Sequence, residues 1–133
     1  LLATEEIAEV WKQGMHGTTY GGNALACVAG LVVIDELERG VSKNVHIVGN
    51  YLSTELAKLQ TDFPHKIIEL RGRGMMQGIV MNSDSQPIVN LLLEKKVITN
   101  ATAGNVVRIL PPLTITTNDV DEFIDNLTSV LNS

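Results

Sequence analysis

The sequence predicts an α+β fold in which helices pack on a small, mostly antiparallel sheet. Three observations carry that expectation. Three helical patterns, the first two separated by a glycine-rich loop, occupy the first sixty residues, two short aliphatic runs meet at Gly72-Arg73-Gly74, and the chain closes on an apolar stripe of helical period behind a capping signal. With 133 residues, 44% hydrophobic side chains and only 4% aromatic ones, there is material for one main aliphatic core.

The elements follow in order. Thr4 precedes Glu5 and Glu6, two acids suited to a first helical turn, and Ile7, Val10 and Trp11 share a face before Gly14 stops the helix. Met15-His16-Gly17-Thr18-Thr19-Tyr20-Gly21-Gly22-Asn23 is a glycine-rich loop ending in a good N-cap residue. The helix that begins there has no polar side chain over residues 24–34, then carries Asp35, Glu36, Glu38 and Arg39 up to a stop at Gly40. A helix apolar all round needs cover on every side, so another domain or subunit is expected to supply it. Residues 41–59 form an ordinary amphipathic helix, with Val41, Val45, Val48, Leu52, Leu56 and Leu59 spaced by three or four.

After Phe63-Pro64, residues 67–71 and 75–81 read as an antiparallel hairpin turning at Gly72-Arg73-Gly74. Ser85 is placed to cap a helix running through Leu93 and Lys96. Val97-Ile98-Thr99 reads as a short strand, residues 100–105 as a loop, and residues 106–110 as a further strand ended by Pro111-Pro112. Thr116 with Asp119 resembles a capping box, and Val120, Phe123, Ile124, Leu127, Val130 and Leu131 make the closing stripe.

Composition narrows function. Fifteen acidic against ten basic residues leave a net charge of −5, which argues against a broad basic surface for nucleic acid or anionic lipid. The single cysteine and the absence of a signal segment make a cytoplasmic setting the expectation, and no apolar run reaches the roughly 18 residues of a membrane span. The chain opens on Leu1 without an initiator methionine and is expected to be a fragment of a longer protein. His16, His46 and His65 lack zinc-site spacing, so no metal is expected. Cys27 reads as a small buried hydrophobe, and Ser42 with His46 lacks a third orienting group. Arg71 and Arg73 read as surface cations, because the glycines around them are followed by a strand and lack the spacing of a dinucleotide fingerprint.

Two features keep chemical interest. In the loop of residues 16–23, glycines let backbone amides approach an anion and two threonine hydroxyls add donors; a simple capped loop accounts for the pattern equally well. Arg108 interrupts an otherwise apolar strand, where its guanidinium can either grip a carboxylate bidentately or face solvent, and the alternation permits both.

Taken together these segments resemble one family. The stretch from His16 through Asn23 into Ala24-Leu25-Ala26-Cys27, the turn Leu70-Arg71-Gly72-Arg73-Gly74-Met75-Met76 and residues 105–115 are similar, in order and spacing, to the class III pyridoxal-phosphate aminotransferases. Ala103-Gly104-Asn105-Val106-Val107-Arg108 is most similar to the acetylornithine branch.

The resemblance implies the C-terminal small domain of a fold-type I transferase, with residues 1–39 as cofactor-loop segment and inter-domain helix and residues 40–133 as the compact small domain. It implies pyridoxal 5'-phosphate as cofactor, amino-acid and 2-oxo-acid substrates, a missing large domain and a homodimer. Thr19 matches the threonine that reaches the cofactor phosphate of the neighbouring subunit. Thr18 matches the adjacent hydroxyl associated with substrate, and Arg108 the arginine that holds a substrate carboxylate. Ala24 departs from the family's usual proline, which loosens the loop and removes no donor. None of Lys12, Lys43, Lys58, Lys66, Lys95 or Lys96 matches the lysine that anchors the cofactor, so no catalytic residue is expected in this chain, and the chain alone is expected to be inactive. Other amino-group transferases of the family, or a stand-alone α+β interaction module, are the alternatives.

Overall fold

The computed structural model describes residues 2–133. The chain divides into two compact units, Leu1–Glu36 and Leu37–Ser133.

In the first unit, helix α1 spans only Glu5–Ala8. Thr4 is extended there and its side chain makes no capping bond, so the longer helix expected up to Gly14 does not form. Val10 and Trp11 lie beyond α1, and Trp11 meets His16 edge to face with ring centroids 6.0 Å apart. Helix α2, Ala24–Glu36, is apolar throughout its first eleven residues and buries none of its residues. Cys27 is therefore exposed, contrary to its reading as a buried hydrophobe.

The second unit opens on a wide helical turn, Leu37–Val41, whose regularity breaks at Gly40. Helix α3, Ser42–Asp62, then buries Val48, Leu52, Leu56 and Leu59, the stripe legible in the sequence. Strands β1 (Ile67–Arg73) and β2 (Met76–Met81) pair antiparallel from Arg73↔Met76 to Ile67↔Met81, with a register shift beside the exposed Ile68. The turn between them is Gly74-Met75, not the expected Gly72-Arg73-Gly74. Gly72 stays within the ladder at φ 125, where a Cβ would lie 2.1 Å from the Met76 carbonyl oxygen, and the inward-facing Met75 is only 3% exposed. Burying that thioether side chain rewards the tighter turn.

Helix α4 is Gln86–Glu94, two residues shorter than expected, because Lys96 adopts φ 65 and Val97 N–H donates to Leu92 O. Its N-terminus is served by Asp84, whose Oδ1 accepts the Gln86 N–H. Ser85, the expected cap, is instead fully buried, with Oγ 3.2 Å from Val106 O. Strand β3 is Asn100–Thr102, not residues 97–99, and joins β4, Val106–Ile109, through a turn with positive φ at Ala103 and Gly104. Polar residues read as loop thus become an edge strand because β4 offers them a ladder, which is how tertiary pairing overrides β-propensity.

The sheet order is β1-β2-β4-β3, antiparallel throughout. Helix α5, Thr117–Leu131, carries the full capping box between Thr116 and Asp119 and buries Val120, Leu127, Val130 and Leu131. These join Leu52, Leu56, Ile79, Leu92 and Val107 in one aliphatic core between the helices and one face of the sheet. No helix among the described residues is long and apolar enough to cross a membrane.

Candidate functional site

The glycine-rich loop ends in the turn the sequence anticipates. Asn23 N–H donates to Tyr20 O at 3.1 Å, Gly22 supplies φ 74, and Asn23 Oδ1 accepts the Ala26 N–H at 3.2 Å to cap α2. At Gly21 the loop folds back so closely that a Cβ would meet Thr18 Cγ2 at 2.3 Å. Thr18 and Thr19 are exposed, and among the described residues their hydroxyls have no hydrogen-bond partner. The open hydroxyls of Thr18 and Thr19, in a glycine-rich loop just ahead of a helix start, are donors of the kind a phosphate accepts, so these residue types suit that group. Its one basic side chain is His16, so it would supply donors and leave neutralisation to other residues.

Arg108 lies in the second unit. It stands in β4 between Val107 and Ile109, which are buried in the core, so alternation turns Arg108 to the opposite face, where it is exposed. The register places it in a row with Gly78 of β2 and Asn100 of β3, and Gly78 pairs in turn with Arg71 of β1. Arg71, Gly78, Arg108 and Asn100 therefore share one face.

The two arginines in that row differ. Arg71 donates through Nη2 to Glu69 Oε2 at 2.8 Å. That bond holds the Glu69 carboxyl below its ordinary range and raises Arg71 above its own. Arg108 donates only through Nε, to Asn100 Oδ1 at 2.9 Å, and among the described residues its two terminal nitrogens are unengaged. A planar guanidinium with both terminal nitrogens open is the fork that matches a carboxylate. Asn100 escaped notice in the sequence because it reads as loop; only the β3–β4 register reveals it as a cross-strand neighbour of Arg108.

A separate hollow of about 370 Å³ is lined by Leu52, Val97, Ile98, Pro111, Pro112 and Phe123. Asp119, also on its wall, is engaged in the α5 capping box, so the hollow presents little reactive chemistry.

Comparison with known proteins covers almost the whole chain. The model of the family described as aminotransferase class-III matches residues 1–131. The acetylornithine aminotransferase of Aquifex aeolicus is 40% identical over 131 residues, which are 98% of this chain and 33% of that enzyme. The ornithine aminotransferase 1 of Staphylococcus saprophyticus is 36% identical over 132 residues, again 98% of this chain and 33% of that enzyme. The crystal structure of an acetylornithine aminotransferase from Elizabethkingia anophelis superimposes with a TM-score of 0.82 at 29% identity, over 98% of this chain and 34% of that one. The chain thus spans about a third of the length of the curated relatives it matches. By the extent of that match, the chain belongs to the class-III aminotransferases, a family dependent on pyridoxal 5'-phosphate.

Proposed function

We propose that this chain is the C-terminal part of an aminotransferase that moves the amino group of N-acetylornithine to 2-oxoglutarate, a step of arginine biosynthesis. One observation carries the site: Arg108 is an exposed arginine between buried aliphatics, with both terminal guanidinium nitrogens open. The relatives named for acetylornithine support the choice of donor. An ornithine-handling enzyme is the second reading, favoured by the 36% identity to the staphylococcal ornithine aminotransferase.

Pyridoxal 5'-phosphate, when bound, supplies the electron sink that amino transfer requires. In this reading the residues of the chain bind and orient. Thr19 donates its hydroxyl to the cofactor phosphate in the neighbouring subunit of a cytoplasmic homodimer. Thr18 contacts substrate beside it, and Arg108 receives the carboxylate of the amino acid and of the oxo acid in turn. Exposed threonine hydroxyls beside a capped helix start and an open guanidinium fork support those assignments. No lysine here matches the cofactor-anchoring one, so residues 1–133 alone carry no transaminase activity, and the large domain of the full-length protein completes the site.

Steady-state kinetics of the full-length enzyme test the reading. N-acetylornithine is expected to outperform ornithine as donor, and Arg108→Ala to raise the KM for 2-oxoglutarate by about ten- to a hundredfold, the worth of a charge-assisted hydrogen-bonded pair. Preference for ornithine moves the enzyme to the second reading, and an unchanged KM removes Arg108 from the site.

A further inference from the structure

We infer that Asn100 is a positioning residue for Arg108: its side-chain carbonyl fixes the guanidinium so that the two terminal nitrogens face an incoming carboxylate. The inference rests on the carboxylate role proposed for Arg108.

The geometry begins with the sheet register. Asn100 and Arg108 are direct partners of the antiparallel β3–β4 pair, so their side chains rise side by side on the face away from the Ile79 and Val107 layer. Asn100 Oδ1 accepts from Arg108 Nε at 2.9 Å. A guanidinium can meet a carboxylate side-on, through Nε and one terminal nitrogen, or end-on, through both terminal nitrogens. With Nε engaged by Asn100, the end-on mode alone remains bidentate.

The other side of Arg108 is open for a different reason. Its partner on β2 is Gly78, which has no side chain to compete for the guanidinium, and a Cβ there would press to 3.2 Å from Val106 Cγ1. Arg108 is therefore flanked by one neighbour that orients it and one that leaves it room. Asn100 suits this task because its amide carbonyl is neutral. An aspartate in its place would accept the same bond but neutralise the charge that the substrate carboxylate needs. The contrast lies in the same sheet, where Glu69 engages Arg71 as an ion pair.

A freely rotating arginine must be immobilised when ligand binds, and supplying that order beforehand is worth about two- to tenfold in affinity. The test uses full-length enzyme and glutarate, a dicarboxylate without the keto group that amino transfer needs, so binding is read by calorimetry independently of turnover. Asn100→Ala is expected to weaken glutarate about two- to tenfold in the Arg108 background and to have no effect in the Arg108→Ala background. Asn100→Asp is expected to weaken it at least as much as Asn100→Ala, because the added charge competes for the guanidinium. In kinetics, Asn100→Ala is expected to raise the KM for 2-oxoglutarate several-fold while kcat changes less. An Asn100→Ala enzyme with unchanged glutarate affinity, beside an Arg108→Ala enzyme that binds weakly, overturns the positioning role and leaves the carboxylate role standing. An equal loss in both backgrounds also overturns it, since Asn100 would then act without Arg108. Full glutarate affinity in Arg108→Ala overturns the carboxylate role itself, and the positioning role with it.

Discussion

Helices α2 and α5 are similar in length and opposite in logic. Helix α5 alternates faces: Val120, Leu127, Val130 and Leu131 are buried while Asp121, Glu122 and Asp125 meet solvent. Helix α2 has no faces to alternate, and Leu25, Val28, Leu31, Val32, Val33 and Ile34 are all exposed. The comparison teaches that hydrophobic content and burial are separate quantities. A single stripe finds its cover within a small unit, whereas an apolar cylinder cannot be satisfied by one neighbour. Within residues 2–36 no residue is buried, so in its own unit α2 rests on its backbone ladder and its Asn23 cap and gains no support from a buried face.

Deleting a large side chain from each helix exposes the difference most strongly. Leu127→Ala, at a site 1% exposed, is expected to destabilise the chain by about 2–5 kcal/mol through lost burial and a residual cavity. Leu31→Ala, at a site 62% exposed, is expected to change stability by less than about 0.5 kcal/mol. Urea unfolding of the two variants measures both. A Leu31→Ala cost approaching that of Leu127→Ala would break the comparison and place α2 under cover in solution.

Two helical glycines sharpen the point with opposite signs. At Gly49 of α3, an added Cβ would sit 3.0 Å from the Gly74 backbone, so Gly49→Ala is expected to destabilise by about 1–3 kcal/mol as helix and hairpin turn are forced apart. At Gly30 of α2 a Cβ would meet nothing within 4 Å, and Gly30→Ala is expected to favour the helix by about 0.5–1 kcal/mol. Urea midpoints report the first and far-ultraviolet circular dichroism the second. A loss of helix in Gly30→Ala would mean that a partner surface packs where the glycine lies.

The same contrast explains what was legible in the sequence. The stripes of α3 and α5, the β1–β2 hairpin and the capping box were readable because each is a short-range pattern whose period is set by one element. Arg108 stood out as a charge inside an apolar strand, and the threonines as hydroxyls in a glycine-rich loop before a helix cap. What was hidden depends on pairing between elements. Strand β3 forms from Asn100, Ala101 and Thr102 because β4 lies beside them, and Asn100 meets Arg108 only in that register. The sequence neighbours of Ser85 suggest a helix cap, but its hydroxyl turns to the carbonyls of Gly104 and Val106, about twenty residues away. Helix α1 stops short although its apolar pattern runs on to Trp11, because neither a side-chain cap nor a buried face supports a longer helix there.

The smallest expected effect concerns how each helix begins. Helix α5 starts on a titratable cap: the Thr116 backbone N–H and hydroxyl both donate to Asp119 Oδ2 at 2.7 Å, and Asp119 N–H donates back to Thr116 Oγ1. The backbone bond first, and the hydroxyl bond second, hold the Asp119 carboxyl below its ordinary value. A depressed folded pKa means that the folded state favours the ionised form. The stabilisation is therefore complete above the ordinary aspartate value and fades as pH falls through it toward the lower folded value. Asp119→Asn keeps an accepting oxygen and removes the charge. The urea midpoints of chain and variant are thus expected to differ at neutral pH and to converge below about pH 4. Helix α2 starts on Asn23, whose amide does not titrate, so the helix loss in Asn23→Ala is expected to be the same at every pH in that range. A constant gap between the chain and Asp119→Asn down to about pH 2 would show that the carboxylate charge adds nothing to the α5 cap, and that the two helices begin on equivalent neutral hydrogen bonds.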